Sequence, residues 1–108
     1  MSDQSHTALI RAATIVGVRP ESVRMVPTDE HFRLDMNELR GMIMEDRESG
    51  LTPIAICGNA GATNTGAIDP LDEIADYCES EEIWFHVDAA YGGFAILTDR
   101  GAELLKGL

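Results

Sequence analysis

Apolar residues recur along this chain at two alternating periods, one helical and one extended. Leu9, Ala12, Ala13 and Val16 lie at helical spacing and predict a helix from about His6 to Val16. Ser5 is placed to cap it, Gly17 to end it and Pro20 to keep it ended. Val23 to Val26 reads as a short strand, and Phe32 to Leu34 as a brief extended piece. Asp35 is a good cap for a second helix, Met36 to Glu48, with Leu39, Met42 and Ile43 on its apolar face and Gly50 behind it. Pro53 to Cys57 reads as a buried strand, followed by a loop of small residues from Gly58 to Gly66. Asp69-Pro70 predicts a capped helix start running through Cys78. Ile83 to Val87 is the next buried strand and ends directly on Asp88.

Helices alternating with short apolar strands predict an α/β fold, a mostly parallel sheet flanked by helices. Ligands in such sheets collect at the carboxyl ends of the strands. The glycine-rich loop and Asp88 both follow strands directly, so both are expected along that edge.

Charge and composition narrow the partners. Nineteen acids against eight bases give a net charge of −11. Nucleic acid and anionic membranes both call for a basic footprint, which this balance excludes. The apolar runs are strand-sized and far short of the roughly 20 residues of a membrane helix. The first residues lack the basic start and apolar core of a signal peptide, so a cytoplasmic location is expected. Cys57 and Cys78, without clustered histidines, define neither a disulfide framework nor a metal site.

Few residues stand out for chemistry. Asp88 ends an apolar strand, where a carboxylate needs a positive or hydrogen-bonding partner; taken alone it reads as a cap for the next turn. Ala89-Ala90-Tyr91-Gly92-Gly93 places small residues beside it, leaving room for a flat ligand. The Gly58–Gly66 loop, with Thr63 and Thr65, suits a polar ligand but matches no nucleotide-binding fingerprint. His6 stands at a helix start, His31 in a loop, and His86 within a strand, where packing and hydrogen bonding are expected. No two of them have metal-ligand spacing.

Three blocks together resemble the group II pyridoxal-phosphate-dependent decarboxylases, the family of aromatic amino acid, glutamate and related decarboxylases. They are Ser2-Asp3-Gln4-Ser5-His6, Gly61-Ala62-Thr63-Asn64-Thr65-Gly66-Ala67-Ile68-Asp69-Pro70 and Trp84-Phe85-His86-Val87-Asp88-Ala89-Ala90-Tyr91-Gly92-Gly93, in the family's order. The resemblance implies a fold-type I (aspartate aminotransferase-like) large domain, of which residues 1–108 form part. It implies pyridoxal 5'-phosphate as cofactor, an L-amino acid as substrate, and a homodimeric parent. His6 matches the catalytic histidine that stacks on the pyridine ring, Ala90 the small residue on the opposite face, Asp88 the carboxylate that pairs with the ring nitrogen, and Thr63 a cofactor-contacting threonine. Ala62 departs from the hydroxyl residue often found beside that threonine. The family's Schiff-base lysine and phosphate-binding segment have no counterpart here. Lys106 lacks the lysine's context and reads as a surface residue near a helix end, so residues 1–108 alone are expected to be silent. An aminotransferase-like or desulfurase-like relative would share Asp88 without the His6 block. A small acidic α/β binding module without cofactor would instead cluster acids after its first strand.

Overall fold

A computed structural model describes residues 1–108. In chain order the elements are helix α1 (Thr7–Ile15), a 3₁₀ turn (Pro20–Ser22), helix α2 (Met36–Glu48), strand β1 (Ala55–Asn59), helix α3 (Leu71–Glu81), strand β2 (Trp84–Asp88), a 3₁₀ turn (Gly93–Leu97) and helix α4 (Asp99–Leu104). β1 and β2 pair in parallel, from Ala55 opposite Trp84 to Asn59 opposite Asp88. Their connection runs through α3, as parallel neighbours require.

The expected parallel sheet flanked by helices is present. Leu39 and Ile43 of α2, Ile74 and Cys78 of α3, and Ile56 of β1 share one buried cluster with Val26, Leu34, Met36 and Ile83. Ala60, Leu71 and Leu105 form a second, with Phe85 and Val87 packed against it. Helices thus cover the face carrying Ile56, Phe85 and Val87. Trp84 remains 72% exposed and His86 is exposed, so His86 is neither packed nor hydrogen-bonded as its strand position led us to expect.

Several boundaries differ from the sequence reading. β1 begins and ends two residues later than Pro53–Cys57, because its pairing is set by β2: Trp84 N–H donates to Ile54 O (3.2 Å) and Ala60 N–H to Asp88 O (2.9 Å). Gly58 therefore lies inside the strand, where an added Cβ would sit 3.0 Å from Leu71 and 3.2 Å from Phe85; the bare backbone lets α3 close on the sheet. Val23–Val26 forms no strand beyond one parallel bridge, Ser2 to Val26, and Phe32–Leu34 none beyond Thr28 to Leu34. Each contact is a single rung, too short to propagate a ladder.

Two caps also move. Asp35 caps α2 as expected, accepting from Asn37 and Glu38 N–H (2.8 and 3.3 Å). α1, however, is capped by His6, whose Nδ1 accepts from Ala8 N–H (3.2 Å), while Ser5 turns its hydroxyl toward Asn59. α3 starts after Pro70 with no side-chain cap, because the Asp69 carboxylate points inward.

Candidate active site at the carboxyl ends of the strands

The parallel pairing places Asn59 and Asp88 side by side where both strands end. The loops that follow are held together by glycine against backbone. A Cβ on Gly92 would lie 2.2 Å from Ala60 O, and one on Gly61 would lie 3.2 Å from Tyr91. Gly61 also needs its positive φ of 96°. The small residues after Asp88 thus serve in part to seat one loop on the other: Gly93 backs onto Ala89 and Gly92 onto Ala60. Ala90 and Tyr91 in that run remain exposed.

Asp88 is half-buried, and its Oδ1 accepts from Ala90 N–H at 3.1 Å. The strand-end cap foreseen for it is therefore formed, through one oxygen. Oδ2 has no hydrogen-bond donor within the chain, and none of the seven ion pairs involves Asp88. Thr63 stands exposed in the turn after β1, its hydroxyl unbonded, while the turn is closed by Gly66 N–H to Ala62 O and Ala62 N–H to Ala67 O (both 2.7 Å). His6 is exposed at the start of α1; an imidazole that caps through Nδ1 carries its neutral-form proton on Nε2, at the far side of the ring.

The N-terminal turn is tied to this edge by residues that sequence reasoning missed. Ser2, Asn59 and Asp69 are the buried polar residues of the chain, and they form one network. Asn59 Nδ2 lies 3.0 Å from Ser2 Oγ, 3.2 Å from Ser5 Oγ and 2.9 Å from Asp69 Oδ2. The Asp69 carboxylate also accepts from Asn59 N–H and Leu34 N–H, each at 2.7 Å. Burial pushes the Asp69 carboxyl up, against these hydrogen bonds, which favour its charged form. Burial likewise raises the neighbouring Cys57 thiol, so this cysteine is no activated nucleophile. The available signal was a polar amide two residues beyond an apolar run, close enough to be drawn into the buried strand end, where a partner is required. The structure thus gathers Thr63, Asp88 and Ala90 on one edge, and Asn59 links the turn bearing His6 to it. Lys106 is exposed and stands 3.9 Å from Asp72, a surface pair.

A family model for the pyridoxal-dependent decarboxylase conserved domain matches residues 1–108. The chain belongs to the pyridoxal-dependent decarboxylase family. It is similar to an aromatic-L-amino-acid decarboxylase of Bacillus atrophaeus, 41% identical over 107 residues, covering 99% of this chain and 22% of that protein. It is also similar to an acidic amino acid decarboxylase of Homo sapiens, 38% identical over 107 residues, covering 99% of this chain and 20% of that one. Among solved structures, the glutamate decarboxylase domain of a Vibrio parahaemolyticus diaminobutyrate-pyruvate transaminase and L-2,4-diaminobutyrate decarboxylase superimposes with a TM-score of 0.93 at 39% identity. That match covers 98% of this chain and 23% of the other. The chain therefore spans about a fifth of the length of the curated relatives it matches. Membership of this family sets aside the aminotransferase-like, desulfurase-like and cofactor-free alternatives. No helix is long and apolar enough to cross a membrane.

Proposed function

We propose that residues 1–108 are the ring-binding part of a large domain in a pyridoxal 5'-phosphate-dependent carboxy-lyase, which converts an L-amino acid to an amine and carbon dioxide. Asp88 carries the proposal: a half-buried carboxylate at the carboxyl end of a parallel strand, with one oxygen capped and the other unclaimed. Such a group fits a protonated aromatic nitrogen, whose charge it stabilises. The donor set around it fits as well. Thr63 offers a free hydroxyl, and exposed Ala90 presents a small surface on which a ring can pack. When bound, pyridoxal phosphate supplies the electron sink for the pair left behind as carbon dioxide departs. There Asp88 would hold the proton on the ring nitrogen, and His6 would face the ring and orient the substrate carboxylate. The covalent lysine and the phosphate cradle belong to other parts of the enzyme. The enzyme is proposed to be a cytoplasmic homodimer. The relatives named above are called aromatic and acidic amino acid decarboxylases, and the substrate side chain is proposed to be selected largely by residues outside this segment.

Asp88→Ala and His6→Phe in the full-length enzyme test this reading, with carbon dioxide release measured for a panel of L-amino acids. Asp88→Ala should lose several kcal/mol of transition-state stabilisation, of order 2.7–4 kcal/mol for one preorganised electrostatic partner. His6→Phe should retain cofactor binding while kcat falls by roughly 10²–10⁴-fold. Near-parental kcat for Asp88→Ala would reduce this residue to a strand-end cap.

A further inference from the structure

The buried polar residues of this chain lie in one place. Ser2 is fully buried, and Asn59 and Asp69 are each 3% exposed. The Asp69 carboxylate is in no ion pair and is satisfied by N–H donors alone, from Leu34 and Asn59, so charge pairing is not what the network supplies. What the network does provide is geometry. Asn59 shares its two amide hydrogens among Ser2, Ser5 and Asp69, and its backbone is the register partner of Asp88. Ser5 directly precedes His6, the cap of α1. Asp69 in turn holds Asn59 at both backbone N–H and side chain, and Asp69 N–H donates back to Asn59 O at 3.0 Å. No buried side-chain polar atom is left without a partner. Removing the Asn59 amide would leave the Ser2 and Ser5 hydroxyls only each other as partners, 3.4 Å apart, and would cut the side-chain tie between the end of β1 and the turn that carries His6.

We propose that Asn59, held by Asp69, is a positioning residue that sets where His6 stands relative to Asp88. The proposal rests on the decarboxylase reading for its kinetic consequence, but not for its structural one. Asn59 touches none of the residues proposed to contact the ring except through the backbone register with Asp88, so its effect passes through the Ser2–Ser5 turn.

The test is a double-mutant cycle in the full-length enzyme, joined to histidine-selective NMR of the apoprotein. Asn59→Ala should lower kcat by about 10–100-fold in the parent, the scale of a small misplacement of a reacting group. In a His6→Ala background the same change should lower kcat by less than about threefold, because the group being positioned is gone. In the apoprotein, Asn59→Ala should shift or broaden the His6 ring resonances while those of His31 and His86 stay in place. Ser5→Ala, a half-buried change at the rim of the network, should move His6 in the same direction by a smaller amount. It serves if Asn59→Ala fails to fold. Equal losses of kcat in both backgrounds, or unmoved His6 resonances in whichever variant folds, would overturn the proposal. A parent that releases no carbon dioxide from any amino acid would remove the decarboxylase reading alone, and the resonances would still decide whether Asn59 positions His6.

Discussion

Gly92→Ala isolates the close approach that seats the Ala89–Gly93 turn on the loop after β1. Gly92 has ordinary backbone angles, φ −106° and ψ −6°, which alanine adopts without strain. The expected damage is therefore steric. The new Cβ would meet Ala60 O at 2.2 Å and Ala60 C at 3.1 Å, where ordinary contact begins at 3.4 Å, and both atoms belong to backbone that no rotamer change relieves. Ala60 is fully buried and its own N–H is bonded to Asp88 O, so it has little room to retreat. Overpacking of this kind costs about 1–3 kcal/mol, and a backbone clash belongs at the upper end, about 3 kcal/mol. Gly66→Ala provides the contrast. Nothing lies within 4 Å of its Cβ, but φ is +72°, so the expected loss is the left-handed penalty of about 1–2 kcal/mol. Urea unfolding followed by circular dichroism measures both, read from the midpoint at constant m-value. Gly92→Ala should lower the midpoint more than Gly66→Ala. The reverse order would refute the claim that the two loops are locked by direct backbone contact.

Further expectations follow from the same structure. Gly41 lies inside α2 with nothing within 4 Å of an added Cβ, so Gly41→Ala should raise stability by about 0.5–1 kcal/mol in the same unfolding assay, and a loss would point to an unseen contact. Asp29 is hydrogen-bonded by the backbone and side chain of Arg33, and these bonds hold its carboxyl down from 3.8 to about 2. A depressed folded pKa means that this contribution to the order of the 29–33 turn is present above about pH 4 and fades as pH falls toward 2. A carboxyl-carbon NMR titration should place the Asp29 midpoint near 2, whereas a midpoint at the ordinary 3.8 would show that the Arg33 contact is not held in solution.

The elements were legible wherever a local signal was strong. α2, with an Asp35 cap and apolar residues at helical spacing, falls on Met36–Glu48 as the sequence predicts. Asp88 and the glycine loop were placed on one sheet edge by the alternation of strand and helix alone, since consecutive parallel strands must point their carboxyl ends the same way. The family resemblance was also a property of the sequence, carried by the blocks around His6, Thr63 and Asp88. Tertiary structure decided which of two local options each polar residue took. Ser5 and Asp69 were both good helix caps by sequence, yet both were drawn inward, because Asn59 ends a buried strand and its amide has no other partners. His6 took the cap that Ser5 vacated. The bounds of β1 were equally non-local, being fixed by the rungs that β2 offers rather than by the apolar run itself. A capping preference is worth about 1 kcal/mol, whereas a buried polar group left unpaired costs about 1–3 kcal/mol, so satisfying Asn59 outweighs the cap. That comparison depends on which residues meet across 54 positions of chain, and only the folded molecule brings Ser5 and Asn59 together.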